Sequence, residues 1–263
     1  MNILIIGGGN LGCAIAKGLK EAEPNYNITV TRRNPQKITY LKSLGIQISD
    51  SNTAFIGAAN YVMLAVKPHQ VVKVLEEIRP FIEHQLLISL VTGFSLQELK
   101  LHLGPQVYIA RAMPNTAISQ RESMTCISTA NLSEQQKQAI LTLFNKLGQS
   151  VFIEEHLMDA ATVLGACGLA FALRYIRASM QGGIQIGFDS QTALKIAAQT
   201  VRGAAALILN QDSHPESEID KVTTPQGCTI AGLNEMEHQG FSSALIKGIL
   251  SSFHAIDGIQ HKK

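Results

Sequence analysis

The sequence predicts an α/β fold in which an N-terminal Rossmann-type doubly wound sheet is followed by an all-helical C-terminal dimerisation domain. Short β-branched runs alternate with amphipathic stretches as far as about residue 153, the pattern of parallel strands joined by crossover helices. A glycine turn, Gly7-x-Gly9-x-x-Gly12, separates the first such run from the first helical pattern. Beyond about residue 154 the strand signals stop and long Ala-rich segments take over. The expected division is therefore residues 1–153 for a sheet domain that the glycine turn marks as dinucleotide-binding and 154–263 for an all-helical domain.

The elements follow in order. Strands are expected at residues 2–6, 28–31, 61–66, 86–91 and 107–110, with helical patterns between them. Ser133 before a Glu- and Gln-rich amphipathic run to Gly148 is the signature of a capped helix. Residues 151–153 supply a last strand. Helices are then expected near 156–182, 190–210, 216–223, 226–239 and 241–260. The 192–209 stretch is apolar on more than one face, more than a thin helical domain can cover. Burial against a second subunit is the expected remedy.

Composition narrows the function classes. Hydrophobic residues make up 46% of the 263-residue chain and charged residues 16%, so the chain is expected to fold throughout. A formal net charge of +2, with no block of like charge, points to neither nucleic acid nor an anionic membrane as partner. No charged segment precedes an apolar stretch and a cleavage site, so neither an export signal nor a membrane span is read. Cys13, Cys126, Cys167 and Cys228 show no C-x-x-C spacing, and no pair of histidines completes a metal site with them. Reduced thiols in a cytoplasm, with no metal, is the simplest account.

The glycine turn carries the first chemistry. Gly7 permits the tight turn, Gly9 lets backbone approach a pyrophosphate, and Gly12 allows close packing of helix on strand. The helix N-terminus attracts phosphate charge, with Asn10 and Leu11 beside it. An NAD-binding sheet carries an acid about 20 residues on, at the end of the second strand. Here Thr31 runs instead into Arg32, Arg33 and Asn34. Two guanidiniums at this point favour a 2′-phosphate, and so NADPH, with NADH as the alternative donor. Two solvated arginines on a loop is the other reading of the same residues.

Five further motifs resemble the pyrroline-5-carboxylate reductase family across nearly the whole chain. They are MLAVKPHQ at residues 63–70, RAMPNTA at 111–117, LMDAATVLGACGLAF at 157–171, IAAQTVRGAA at 196–205 and VTTPQGCTIAGLNEMEHQGF at 222–241. The resemblance implies hydride transfer from NAD(P)H to the C=N carbon of a cyclic imino acid, the last step of proline biosynthesis. It implies a pyrophosphate turn at Gly7, Gly9, Asn10 and Leu11, and contacts to the adenosine ribose or its phosphate at Arg33 and Asn52. It also implies a strand end beneath the cofactor at Ala65, Val66, Lys67 and Pro68, and a nicotinamide-pocket loop at Met113, Pro114 and Asn115. The substrate end falls on Thr224, Gly227, Cys228 and Thr229, and a homodimer formed through the helical domain is implied, with larger assemblies left open. The resemblance thus adds substrate binding and dimerisation to the helical domain, 154–263.

The substrate stretch can also be read physically. Thr224 and Pro225 look like an N-cap and a first helical position, so that residues 227–229 offer free N–H groups to a carboxylate. Thr229 adds a hydroxyl for the ring nitrogen and is the one residue assigned to catalysis. The chain departs from the family pattern at Gly165–Ala166–Cys167–Gly168–Leu169–Ala170–Phe171, which lacks two hydroxyls and a proline, and at Gln226, which replaces a glycine. These departures bear on the pocket more than on the reaction class. The competing readings are a β-hydroxyacid dehydrogenase-like enzyme, disfavoured because no lysine precedes Lys195 after the glycines, and a non-catalytic NADPH-binding paralogue.

Overall fold

The computed structural model describes residues 1–211 and 213–260. The chain divides into two compact units, residues 1–166 together with the C-terminal end from Ala255, and residues 167–254.

The first unit is built on an eight-stranded sheet. Its strands are β1 (Asn2–Ile6), β2 (Asn27–Thr31), β3 (Gln47–Ser49), β4 (Tyr61–Leu64), β5 (Leu86–Ser89), β6 (Tyr108–Met113), β7 (Ser123–Ala130) and β8 (Gly148–Phe152). They lie in the order β3-β2-β1-β4-β5-β6-β7-β8. Every pairing is parallel except β6 with β7. Strand β1 shows why its sequence reads as a continuous apolar run. Ile3 and Ile5 enter a core shared with Ile15, Leu19 and Phe144, while Leu4 and Ile6 enter one on the opposite face with Val74, Leu75 and Leu99. Both faces are covered, so both sets of side chains must be apolar.

The covering helices are α1 (Asn10–Ala22), α2 (Val71–Ile78), α3 (Leu96–Leu103) and α4 (Glu134–Phe144). Ser133 caps α4 as its sequence predicts: Gln136 N–H donates to the Ser133 hydroxyl at 3.3 Å and Ser133 N–H donates to Gln136 Oε1 at 2.9 Å. The expected helix to Gly148 ends earlier, with one 3-10 turn, Asn145–Leu147, before β8.

Two strands escape the sequence reading, and one of them breaks the all-parallel expectation. In β7, Ser123, Thr125 and Ser128 are buried polar residues, so the segment carries no apolar run. It pairs antiparallel because only residues 114–122, which include the 3-10 turn Thr116–Gln120 and the left-handed Arg121, separate it from β6, too little chain for a parallel crossover. Strand β3 is three residues long and sits on the sheet edge, where little apolar patterning is demanded.

The chain from Met158 to Gln185 is one helical run, α5 (Met158–Ala161), a π-helical segment (Thr162–Cys167) and α6 (Gly168–Gln185). It is followed by α7 (Ser190–Gln211), α8 (Pro215–Lys221), α9 (Cys228–His238) and α10 (Phe241–Gln260). The expected helices at 190–210 and 241–260 agree closely; that at 226–239 begins two residues later than expected. Before this run, buried Arg111 on β6 donates to Glu155 Oε1 at 3.0 Å. The same oxygen accepts the Leu96 N–H that opens α3, at 2.6 Å. One carboxylate thus ties a central strand to a helix start.

Candidate active site

The strand order reverses beside β1, with β2 and β3 on one side and β4 onward on the other. The loops leaving β1 and β4 diverge there and open a crevice at the strand ends, where α/β sheets bind ligands. In this chain the crevice is a cleft of about 890 Å³, lined by Gly7, Gly8, Gly9, Arg32, Arg33, Asn52, Ala65, Val66 and Lys67 among others.

The three glycines act differently. Gly7 has φ of +117°, and a Cβ there would lie 2.3 Å from the Ala65 carbonyl oxygen. A Cβ on Gly12 would lie 2.1 Å from the Gly7 oxygen. Both are required by the protein's own backbone. A Cβ on Gly9 would meet nothing within 4 Å, so the fold itself tolerates a side chain there and the bare backbone is left open to the cleft. Gly9 is also the N-cap of α1, with no side-chain cap and no acid in the first turn. Open backbone at the positive end of a helix suits a pyrophosphate, so these residues fit a dinucleotide.

Beyond the turn, Thr31 takes the Gly7 and Gly8 N–H groups on its carbonyl at 3.1 and 2.8 Å. The Thr31 hydroxyl donates to Asn52 Oδ1 at 2.6 Å, and Asn52 Nδ2 donates to Glu77 Oε2 at 3.0 Å. Arg33 is exposed in the cleft. Arg32 is half-buried and donates through Nη1 to the Gly8 carbonyl, so the two arginines are not equivalent. The expected lack of an acid holds only at the end of β2: Asp50, just past β3, and Glu77, on α2, both line the cleft. Lys37, His69, Gln70 and Lys73 line it too and were not singled out from the sequence. For Gln70, the N-cap of α2, and Lys73, Val74 and Glu77 on it, the i, i+3, i+4 and i+7 spacing was the available signal.

Asn10 lines a smaller cavity of about 320 Å³ on the α1 side of the turn, with Cys13, Lys17, Arg32, Lys37 and Tyr40. Hydrogen bonding with the Cys13 side chain, helped by burial, holds the Tyr40 phenol above its ordinary value. Leu11 packs against the core instead of facing the cleft. Pro68 is exposed and opens a 3-10 turn, Pro68–Gln70. Met113 and Pro114 are buried. Asn115 uses both ends of its amide on the fold, accepting the Ala117 N–H at 2.9 Å and donating to the Gly165 carbonyl in the π-helical segment at 3.0 Å. These three residues do not line the cleft.

In the second unit the proposed substrate stretch differs from its sequence reading. Thr224 is not an N-cap and Pro225 is not helical. The pair opens a turn closed by Gly227 N–H donating to the Thr224 carbonyl at 3.0 Å. Gln226 adopts φ of +57° within it. The cap of α9 is Gly227, with no side-chain bond, and a Cβ there would lie 2.5 Å from Thr224 Oγ1. Because Gly227 N–H is taken by the turn, the free N–H groups move one residue on, to 228–230. Cys228 and Thr229 occupy the first turn of α9, exposed and half-buried respectively.

Comparison with known proteins supports both units. Residues 155–257 match the family described as pyrroline-5-carboxylate reductase dimerisation, and residues 2–93 match one described as NADP oxidoreductase, coenzyme F420-dependent. The chain is 47% identical to pyrroline-5-carboxylate reductase 1 of Dictyostelium discoideum over 95% of its own length, spanning 48% of that relative. It is 44% identical to pyrroline-5-carboxylate reductase 2 of the same organism, over 95% of this chain and 90% of that one. Its fold matches the solved pyrroline-5-carboxylate reductase of Coxiella burnetii with a TM-score of 0.91 at 28% identity, covering 98% and 97% of the two chains. An identity of 44% that runs almost from end to end of a relative, on a shared fold, is membership: the chain belongs to the pyrroline-5-carboxylate reductase family.

Proposed function

We propose that this chain reduces 1-pyrroline-5-carboxylate to L-proline with NADPH. The observation that carries this reading is the end-to-end identity with a pyrroline-5-carboxylate reductase; the open glycine at residue 9 and the cationic cleft support the cofactor. In this reading residues 1–153 hold the dinucleotide. Gly7 and Gly9, with the backbone of Asn10 and Leu11 at the start of α1, form the pyrophosphate turn, Arg33 and Asn52 face the adenosine ribose, and Ala65, Val66, Lys67 and Pro68 pass beneath the cofactor. Met113, Pro114 and Asn115 shape the nicotinamide end from behind, as their burial and fold-directed hydrogen bonds suggest. Bound NADPH supplies the hydride for the C=N carbon.

Residues 154–263 take the imino acid and form the dimer. The N–H groups of Cys228, Thr229 and Ile230 receive the carboxylate at the start of α9. The Thr229 hydroxyl steers the ring nitrogen. A protonated imine needs no titrating side chain, because hydride addition to it gives the amine directly. The protein acts in this reading as a cytoplasmic homodimer. The helical runs Glu155–Gln185 and Ser190–Leu209 are long and apolar enough by composition to cross a membrane; both lie within the stretch that matches a dimerisation family, which supports a second copy as the cover for their apolar faces.

A steady-state assay with pyrroline-5-carboxylate and NADPH tests the activity. Thr229→Val keeps shape and removes the hydroxyl. A lost hydrogen bond to a charged partner costs about 1.5–3 kcal/mol, so kcat/KM is expected to fall about ten- to a hundred-fold with NADPH affinity unchanged. An inert parent that binds NADPH supports the non-catalytic alternative, and a Thr229→Val variant as fast as its parent removes Thr229 from the site.

A further inference from the structure

Two adjacent arginines and a lysine surround the end of β2, and the structure gives them unequal tasks. Arg32 is committed to the glycine turn. Its guanidinium donates to the Gly8 carbonyl, its own N–H donates to the Ser49 carbonyl at 2.9 Å, and the preceding Thr31 carbonyl takes the Gly8 N–H at 2.8 Å. Gly8 is thus held at both its donor and its acceptor by successive residues of β2's end. There is little slack, since a Cβ on Gly8 would lie 2.9 Å from Ile38 and 3.2 Å from Arg32. One of its five N–H donors is thereby committed, which holds the plane of the guanidinium and limits how far its fork can turn onto a phosphate.

Lys37 stands differently. The 3-10 helix Pro35–Leu44 is capped by Asn34, whose Oδ1 accepts the Gln36 N–H at 3.2 Å, and the Lys37 N–H donates to the Asn34 carbonyl at 3.3 Å. This fixes the Lys37 backbone one turn from Arg33. Like Arg32, Lys37 borders both cavities, but among the described residues no side-chain hydrogen bond or ion pair ties its ammonium. Among the described residues neither Arg33 nor Lys37 has a carboxylate partner, although Asp50 and Glu77 border the same cleft and Glu77 accepts from Asn52. We propose that Lys37, not Arg32, partners Arg33 in holding the 2′-phosphate of the adenosine ribose, and that Arg32 is a positioning residue stapling the pyrophosphate turn. The proposal rests on the NADPH reading above and names the residues that set its specificity.

Equilibrium titration of the full chain with adenosine 2′,5′-bisphosphate and with adenosine 5′-monophosphate separates the roles without turnover. Lys37→Gln is expected to weaken the bisphosphate about ten-fold and leave the monophosphate within about two-fold, as for one lost charge-assisted contact. Arg32→Gln is expected to weaken both by a similar factor, because both need the turn. Thermal unfolding with Arg32→Lys as a second variant identifies general misfolding; a folded Arg32→Lys that loses only bisphosphate affinity overturns the stapling role. A parent that prefers the bisphosphate while Lys37→Gln keeps that preference overturns the Lys37 assignment alone. A parent with equal affinities overturns it together with the NADPH reading.

Discussion

The two units bury their apolar residues very differently. The sheet unit closes its own core on both faces, with branched aliphatic side chains fully buried along β1, β4 and β5. Between residues 167 and 254 the buried apolar residues among those described are only Ala193 and Ala197, while Leu194, Ile196 and Leu209 on α7 are 45, 47 and 67% exposed. Large apolar side chains in that number on the surface of one chain mark a surface meant for a partner. The sheet unit covers its own apolar residues, whereas the helical unit leaves an apolar surface that the proposed second copy would cover.

The largest test of that contrast is a charge on α7. Ala204 is exposed in the single chain, so Ala204→Glu is tolerable in a monomer and costs several kcal/mol only when buried unpaired at an interface. The expected outcome is a dimer mass for the parent by light scattering and a monomer for the variant. Equal masses would break the comparison. Ala197 is a poorer probe than its sequence position suggests, because it is already buried within the chain.

In the sheet unit the contrast is between glycines needed by the fold and a glycine that the fold leaves open to a ligand. Gly7→Ala must push against backbone at 2.3 Å and is expected to lower stability by about 3 kcal/mol, read as a shifted denaturant midpoint. Gly9→Ala, which clashes with nothing and only weakens the α1 N-cap, is expected to lower stability by about 1 kcal/mol or less yet lose NADPH affinity by at least about ten-fold. If Gly9→Ala binds as well as the parent, the pyrophosphate does not pass over residue 9.

A smaller effect belongs to the substrate turn. Gln226 holds a left-handed conformation that costs a residue with a Cβ roughly 1 kcal/mol. Gln226→Gly is expected to gain about 0.5 kcal/mol after the added freedom of the unfolded chain, about 1–2 °C in Tm. The smallest is a pH effect at the start of α7. Hydrogen bonding from Thr192, side chain and backbone, and then from the Gln191 N–H holds the Asp189 carboxyl below its ordinary value. A lowered folded value means the stabilisation is present above the unfolded carboxylate value and is lost as pH falls through the folded one. Asp189→Asn is therefore expected to lose a little Tm at neutral pH and to match the parent in acid.

Short-range chemistry accounts for the features that are legible along the chain. The Gly7-Gly9-Gly12 turn, the Ser133 capping box, the alternation of strands and helices, and the apolar excess on 192–209 are each written within a window of some twenty residues. The family motifs are local strings as well. Tertiary structure alone decided the rest. β7 is a strand because neighbouring β6 supplies its partner, which lets buried Ser123, Thr125 and Ser128 stand where apolar residues would be expected. Asp50 and Glu77 reach the cleft from β3's end and from α2, so an acid absent from the end of β2 in the sequence is present in the crevice. Arg32 and Arg33 are adjacent and identical in type, and only the Gly8 carbonyl, 24 residues away along the chain, separates a guanidinium tied to the glycine turn from one that has no carboxylate partner among the described residues. A side chain's task depends on which hydrogen-bonding groups the fold brings within about 3 Å of it, and a residue's own neighbours in sequence do not specify that distance.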